Sequence, residues 1–147
     1  MNLILIAEDD PIDAFFLRHV FQECGITNRL EILSDGAAIL SYLKGEGQFR
    51  DRKRFPMPVM LILDSRVGGD QVLDWLRTQP KHAFPIIMLT GMPSRAENQL
   101  AYEKEAQSFL RKPLAKADIL TFMNNFKEIV GTVPLPSQAQ APRLSKS

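Results

Sequence analysis

Acidic side chains directly follow two of the most apolar runs in this 147-residue chain. Glu8 and Asp9 come after LILIA, and Asp64 comes after MLIL. Thr90 ends a third run, IIMLT, and Lys112 follows the short segment SFLR. Carboxylates brought together repel each other and need a cation, and an oxygen-rich site with few protein ligands suits Mg²⁺. An aspartate in such a site can act as a nucleophile and form an aspartyl phosphate.

Each of these residues also has an ordinary structural explanation. The acids after the first run can simply begin a helix, because negative charge favours the positive end of the helix dipole. Asp64 can begin a turn, Thr90 can be an ordinary strand residue, and Lys112 can be a surface lysine. A functional interpretation therefore depends on whether the fold brings these side chains together.

Five apolar runs alternate with five helical segments along the chain, which predicts an α/β fold with a parallel sheet. The strands are predicted at 3–7, 29–33, 59–64 and 85–90 and within QSFLRKP; the helices follow Asp10 and Gly36 and cover about 70–78, 94–105 and 116–130. The expected architecture is doubly wound and flavodoxin-like, with strand order 2-1-3-4-5, and its ligands bind beyond the carboxyl ends of the strands. In that order the first and third strands are neighbours, so the acids converge, and Thr90 and Lys112 flank them.

The first and last helices are expected to bury apolar faces at helical spacing. Asp10 is the expected N-cap of the first helix, and Asp13 is placed to favour its dipole. The expected faces are Ile12, Phe15, Phe16, Val20 and Phe21 in the first helix, and Ile119, Phe122, Met123, Phe126, Ile129 and Val130 in the last.

The segment KGEGQFRDRKRFPMP is rich in glycine, proline and charge, and it is predicted to be a long loop. Its basic residues are expected to face solvent, because short runs of charge usually do.

Composition limits the classes of function. A net charge of +1 gives no indication of DNA binding, and no stretch approaches the ~20 apolar residues of a membrane span. The single cysteine, Cys24, excludes an internal disulfide and is expected to be structural. With no signal peptide evident, the expected location is cytoplasmic.

Four motifs, in this order, carry a resemblance to a known family: LILIAEDDP, LILDSRVGGD, IIMLTG and FLRKP. The sequence from about Asn2 to Val130 resembles the receiver domain of two-component response regulators. The resemblance implies a receiver domain over residues 1–130. In such a domain Asp64 accepts a phosphoryl group from a histidine kinase, and phosphorylation changes the surface. Residues 131–147 contain no aromatic or acidic residue and are expected to form a disordered tail.

The resemblance also implies how the acidic residues hold Mg²⁺. Asp9 is the direct ligand beside Asp64, Glu8 acts through water, and the backbone carbonyl of Arg66 completes the metal site. The only chemistry implied is self-catalysed phosphotransfer and dephosphorylation, not turnover of a separate substrate.

The remaining site residues receive roles by the same resemblance. Thr90 and Lys112 sense and hold the phosphoryl group, and Phe109 takes the place of the switch aromatic. The bond between Lys112 and Pro113 is expected to be cis, a state found chiefly before proline. Phe109 lacks the hydroxyl of the more frequent tyrosine, so its switch cannot end in a new hydroxyl hydrogen bond.

Two further features depart from the usual family pattern near Asp64. The sequence Val67-Gly68-Gly69 replaces a frequent Met-Pro, which loosens the expected loop geometry. Arg66 places a long cation where water approaches the phosphate, and we expect it to alter phosphoryl lifetime by pairing with the phosphate or with Glu8.

The expected partner is a sensor histidine kinase. The long FRDRKRFPMP loop resembles that of stand-alone regulators partnered with bacterial phytochrome-type kinases. No output domain is evident after Val130, so output is expected to pass through the receiver surface. A homodimer is also expected, whereas DNA and membrane are not expected partners.

Three other functions fit the sequence less well than the receiver interpretation. A haloacid-dehalogenase-type phosphohydrolase carries a second Asp where this chain has Arg66. A nucleotide-binding flavodoxin-like protein needs a glycine-rich phosphate loop after the first strand, where this chain has acids. A phosphate-independent interaction domain on the same fold would be expected to lack one of the acids or Lys112, and all are present.

Overall fold

The computed structural model describes residues 2–64, 66–67, 69–79, 84–90, 108–112 and 114–128. Five strands lie in one parallel sheet in the order β2-β1-β3-β4-β5, which confirms the predicted fold. They are β1 (Leu3–Ala7), β2 (Arg29–Leu33), β3 (Met60–Asp64), β4 (Ile86–Thr90) and β5 (Ser108–Arg111). The helices are α1 (Pro11–Glu23), α2 (Gly36–Lys44), α3 (Gly69–Arg77) and α4 (Lys116–Asn125), with a 3₁₀ turn at Gly47–Phe49.

Several predictions fall outside the described residues. They are the helix over 94–105, the cis bond to Pro113, the last two apolar residues of the stripe at 129–130, and the tail at 131–147.

Strands β1 and β3 are buried on both faces because helices cover both sides of the sheet. One side of the core packs β1 and β3 against α2 and α3, through residues such as Leu5, Ile39 and Leu73. The other side packs them against α1 and α4, through Leu17 and Phe122 among others. This double coverage explains why both strands read as unbroken apolar runs.

Register places the ends of the strands together. Ala7 pairs with Leu63 across β1 and β3, and Asp64 pairs with Leu89 across β3 and β4. The residues that follow β1 therefore emerge beside the end of β3. β5 runs parallel to β4, so Lys112 emerges at the same edge. The sheet itself thus gathers residues that are far apart in sequence.

Helix α1 begins as predicted, but its predicted apolar face is wrong in part. The Asp10 carboxylate accepts a hydrogen bond from the backbone N–H of Ile12 at 2.8 Å, which caps the helix. Leu17 and Phe21 are the buried residues, one turn apart. Ile12, Phe15 and Phe16 are 65%, 64% and 56% exposed. The helix carries two apolar stripes and only one can face the sheet.

The last helix agrees better with its prediction. Ile119 and Phe122 are buried, and Met123 and Phe126 are half-buried against the same side of the core. Cys24 is free and buried beside this helix, as expected of a structural thiol. Within the described residues, no helix combines the length and the apolar character that crossing a membrane requires.

The segment between α2 and β3 was predicted to be a solvated loop, and this is wrong for its centre. Arg52 donates one guanidinium hydrogen bond to the Leu43 carbonyl at 2.8 Å and another to the Phe55 carbonyl at 3.1 Å. The Tyr42 hydroxyl donates to the Pro56 carbonyl at 2.8 Å. The rings of Tyr42, Phe49 and Phe55 pack against one another in this segment.

The physical reason is that burying the aromatic rings stabilises this segment more than solvation of its charges favours an open loop. Tyr42 and Phe49 are buried and Phe55 is half-buried, and Arg52 supplies donors for carbonyls that regular structure leaves unpaired. Arg50, Lys53 and Arg54 are exposed, as predicted. We call residues 45–58 the packed loop.

Candidate functional site

The carboxylates of Glu8, Asp9 and Asp64 meet at the carboxyl edge of the sheet. Glu8 is 3% exposed and Asp64 is 1% exposed, whereas Asp9 is exposed. One oxygen from each lies within 4.8 Å of one from each of the others. The sequence prediction that these three acids converge is therefore supported by the geometry. The burial of Glu8 and Asp64 is unusual, because ionised carboxylates are rarely buried unless they are paired.

Lys112 supplies the pairing cation. Its ammonium donates hydrogen bonds to Glu8 Oε1 at 2.7 Å, to Asp13 Oδ2 at 3.1 Å and to Asp64 Oδ2. An ammonium has three N–H donors, so each of them has a carboxylate acceptor. Burial by itself would lower the pKa of Lys112, but the bonds to these carboxylates raise it well above its ordinary value. Lys112 is therefore a fixed positive charge in the pocket.

The pKa values of the two buried acids, Glu8 and Asp64, are shifted in opposite directions. Burial is the largest influence on Glu8 and raises its pKa, although the bond from Lys112 opposes it. Burial also pushes the pKa of Asp64 upwards, but hydrogen bonds from Lys112 and from the backbone N–H of Arg66 together outweigh it. The pKa of Asp64 is therefore lowered. Of the two buried acids, Asp64 is the one held in its ionised form, as a nucleophile requires.

The two oxygens of Asp64 have different partners. Oδ1 accepts a hydrogen bond from the backbone N–H of Arg66 at 2.9 Å. Oδ2 accepts a hydrogen bond from the Lys112 ammonium, which sits at the end of a flexible side chain and not on the backbone. Oδ2 is thus the oxygen that a side-chain movement can release.

The guanidinium of Arg66 lies across the mouth of the pocket. Its Nε is 3.5 Å from Asp64 Oδ1, and a terminal nitrogen is 3.8 Å from Asp13 Oδ2, while the side chain is 65% exposed. The bond to Asp64 is the main reason that the pKa of Arg66 is raised. Of the two pairings considered from the sequence, the one with Glu8 is not formed among the described contacts. Arg66 pairs with Asp64 and Asp13 instead.

Thr90 and Phe109 are placed by the backbone. Thr90 is the last residue of β4 and pairs with Arg111, and Phe109 lies on the adjacent strand opposite Met88. Their side chains lie outside what the structure describes, so their switch roles stay predictions. The carbonyl of Arg66 as a metal ligand stays a prediction as well.

Asp13 is a site residue that sequence reasoning assigned only to the dipole of α1. It is the third residue of the helix, about one turn after the acids that follow β1, and its carboxylate reaches Lys112 at the same edge. That spacing was the signal in the sequence by which Asp13 could have been assigned to the site.

Beside the acids, an open groove is lined by Asp9, Ser34, Asp35, Gly36, Ala37, Arg66, Val67 and Gln71.

The donor set fits a divalent cation. All three acids offer hard oxygen ligands, which is the chemistry that Mg²⁺ and Mn²⁺ take. Asp9 is exposed towards the groove, so an ion can reach it from solvent. Four acids, two of them buried, share one ammonium and one exposed guanidinium. The pocket therefore keeps an excess of negative charge.

The sequence matches a protein family whose members have this fold and this kind of site. Residues 4–124 match the model described as the response regulator receiver domain, which covers most of the chain. The chain belongs to this family, whose general function is to accept a phosphoryl group in signalling. A histidine kinase is the partner that this family implies.

Two relatives are similar in sequence to most of this chain. The chain is 34% identical over 131 residues to "Probable methanogenesis regulatory protein FilR2" of Methanothrix harundinacea, covering 86% of this chain and 81% of that protein. It is 25% identical over 141 residues to response regulator Rcp1 of Synechocystis, covering 92% and 94% of the two chains.

Solved structures show the same fold. Response regulator RPA3017, from red light signalling of R. palustris, has a TM-score of 0.80 at 28% identity, with 90% of this chain and all of that chain covered. The Mn²⁺-bound form of Rcp1 has a TM-score of 0.71 at 25% identity, with 92% and 99% covered. The resemblance to regulators of the phytochrome-associated kind is thereby confirmed.

Proposed function

We propose that Asp64 is the phosphoacceptor of this receiver domain and that a histidine kinase is the donor. The observation that carries the proposal is the contact of Lys112 with both buried acids, Glu8 and Asp64. It gives an ionised, buried aspartate whose Oδ2, among the described contacts, is bonded to the ammonium of a side chain. Structural ion pairs have little need of this arrangement, since burying charges is unfavourable without strong compensation.

The transfer is written for Oδ2 of Asp64. Its lone pair forms a P–O bond while the P–N bond of the phosphohistidine breaks. The electron pair of the broken bond stays on the imidazole nitrogen, which then takes a proton from water. Lys112 leaves Oδ2 and follows a phosphoryl oxygen, so its positive charge stays beside the group that moves. Positioning and charge neutralisation are most of what such a transfer requires.

We propose Mg²⁺ as the ion held by Asp9 and Asp64, with Glu8 acting through water and the Arg66 carbonyl completing the site. When bound, the ion neutralises charge on the phosphoryl oxygens. The oxygen-only donor set and its negative excess support Mg²⁺ over ions that prefer nitrogen or sulfur.

Further parts of the proposal rest on the sequence. We propose that Thr90 and Phe109 convert phosphorylation into a changed surface, that the kinase is of the phytochrome type, and that the chain forms a homodimer. A domain spanning 1–130 with a disordered tail over 131–147, a cytoplasmic location, and chemistry limited to its own phosphorylation and dephosphorylation belong to the same proposal. The phytochrome-type kinase is supported by similarity to RPA3017 and Rcp1.

The deciding experiment is intact mass after incubation with acetyl phosphate and Mg²⁺. The expected result is a gain of one phosphate that disappears in Asp64→Asn and when Mg²⁺ is chelated. Asp74→Asn, on the exposed side of α3, is the matched control and should gain phosphate normally. Wild-type protein that remains unmodified by both acetyl phosphate and phytochrome-type kinases would instead favour a phosphate-independent interaction domain.

A further inference from the structure

We propose that Asp13 is a positioning residue for Lys112 during phosphoryl transfer, an inference that rests on the function proposed above. Asp13 lies in the first turn of α1, and its Oδ2 is 3.1 Å from the Lys112 ammonium. It is the least buried of the three carboxylates that the ammonium contacts. It therefore lies on the solvent side of Lys112, opposite the buried acids.

The need for such a residue follows from the transfer itself. When Asp64 Oδ2 forms the bond to phosphorus, Lys112 loses that acceptor and has to reach a phosphoryl oxygen. Glu8 is buried and draws the ammonium inwards. Asp13 draws it towards the mouth, where the incoming phosphoryl group arrives. With Glu8 and Asp13 in place, two hydrogen bonds from the ammonium stay formed while the third donor changes from Asp64 to a phosphoryl oxygen. The positive charge is then held at the point of transfer.

Asp13 contacts Arg66 as well as Lys112, so it could act through either cation. The distances and exposures of the two contacts decide between them. The guanidinium of Arg66 is 3.8 Å from Asp13, and the Arg66 side chain is 65% exposed. The Lys112 ammonium is closer and only 14% exposed. Exposed pairs at such distances contribute little, because water and salt screen them. Asp13 is therefore inferred to act through Lys112 and not through Arg66.

The chain offers a matched control for the effect of Asp13 on its own helix. Asp118 is the third residue of α4, as Asp13 is the third residue of α1, and it is exposed. Both acids favour the helix dipole to a similar extent. The two substitutions, Asp13→Asn and Asp118→Asn, each remove one such charge without changing side-chain size, and only the first removes a contact with Lys112.

The first readout is the rate of phosphate uptake from acetyl phosphate with saturating Mg²⁺, followed by intact mass. We expect Asp13→Asn to slow uptake about three- to tenfold, the range that one partly exposed hydrogen bond of ordinary strength supports. Asp118→Asn should stay within about twofold of wild type, since the dipole effect alone is small. Melting temperatures of the two variants should be similar, which separates the rate effect from folding.

The second readout is direct and involves no phosphate. The ¹⁵Nζ ammonium signal of Lys112, assigned by its loss in Lys112→Arg, should be visible and slow to exchange in wild type. Asp13→Asn should shift or broaden it, whereas Asp118→Asn should leave it unchanged. A role of Asp13 in helix stability alone would not move this signal.

The outcomes separate the inference from the proposed function. Absence of phosphate uptake by wild type would remove the proposed function and the inference with it. Normal uptake by wild type and an equal rate for Asp13→Asn would overturn the inference alone. An absent or unshifted Lys112 signal would overturn it as well, because the ammonium would then not be held by Asp13.

Discussion

The Lys112 ammonium lies 2.7 Å from the Glu8 carboxylate, although 104 residues separate the two in sequence. The contact joins the residue after β1 to the residue after β5, across the whole pocket. The buried Glu8 carboxylate is therefore neutralised by a cation that follows a different strand, β5.

Removal of Lys112 should destabilise the metal-free protein. Lys112→Ala leaves Glu8 and Asp64 buried without their cation, and breaking a buried pair in this way costs about 3–5 kcal/mol. Urea unfolding in EDTA should show the loss, and added Mg²⁺ should restore part of it. Lys116→Ala, an exposed lysine at the start of α4, should change stability by less than about 0.5 kcal/mol. A metal-free Lys112→Ala protein as stable as wild type would contradict the compensating role.

Glu8 should give stability a distinct pH dependence. Its pKa is raised above the ordinary 4.5, chiefly by burial, so the folded state binds a proton more tightly than the unfolded state. The stabilisation is full below pH 4.5 and is lost as the pH rises through the folded pKa. Relative to Glu8→Gln, wild type should therefore lose stability as the pH rises above 4.5. The measurement is urea unfolding of both proteins in EDTA across that range.

Ionisation of Asp64 affects stability in the opposite direction to that of Glu8 and over a lower pH range. Its pKa lies below the ordinary 3.8, so its stabilisation is present above that value and is lost as the pH falls further. The two carboxyls thus titrate on opposite sides of about pH 4. A wild-type to Glu8→Gln difference that does not change with pH above 4.5 would disagree with the raised pKa of Glu8.

Arg66 should lengthen the lifetime of the phosphoryl group. Its guanidinium covers the mouth of the pocket above Asp64, where water would attack. Arg66→Ala should speed dephosphorylation about two- to fivefold, a modest change because water and salt screen an exposed ion pair. The phosphorylated protein is passed through a desalting column, and its decay is followed by mass. Arg77→Ala, an exposed arginine at the end of α3, should decay at the wild-type rate, and the same rate for Arg66→Ala would count against the covering role.

The two apolar stripes of α1 should differ sharply in their contribution to stability. Phe21 is buried, so Phe21→Ala should cost about 3–5 kcal/mol. Phe16 is 56% exposed, so Phe16→Ala should change the free energy of unfolding by less than about 0.5 kcal/mol. Denaturant unfolding of the two variants side by side is the test. Equal losses would mean that Phe16 is covered in solution.

Arg52 should stabilise the fold although it belongs to a basic run. Arg52→Ala leaves the carbonyls of Leu43 and Phe55 without their donor and should cost about 1–2 kcal/mol. Arg50→Ala, two positions away and exposed, is the control and should be close to neutral. Thermal unfolding distinguishes them. An Arg52→Ala protein as stable as the control would show that the two hydrogen bonds add nothing to stability.

The sheet and most of the site could be predicted from the sequence, because both depend on one-dimensional patterns. Strands buried on both faces give unbroken apolar runs, such as 3–7 and 60–64, whose ends are easy to locate. Parallel strands then place their carboxyl ends at one edge. Glu8, Asp64 and Lys112 could therefore be expected to meet before any coordinate was known.

The contacts that escaped prediction are those decided by competition in three dimensions. Helix α1 carries two apolar stripes, and periodicity alone does not say which one faces the sheet. The packed loop has the composition of a solvated segment, and only the meeting of Tyr42, Phe49 and Phe55 orders it. Asp13 has an adequate explanation within its own helix, which concealed its contact with Lys112.

The packed loop carries trypsin's preferred residues at four of the five positions 50–54, yet trypsin should cut it slowly. A protease needs a segment to lie extended in its cleft. Here the backbone N–H groups of Arg54 and Phe55 are bonded to the carbonyl of Asp51, and Arg52 holds the segment to the end of α2. Cleavage there requires this region to open first. The rate of cutting in the native protein therefore measures how often the packed loop detaches from α2, independently of global unfolding.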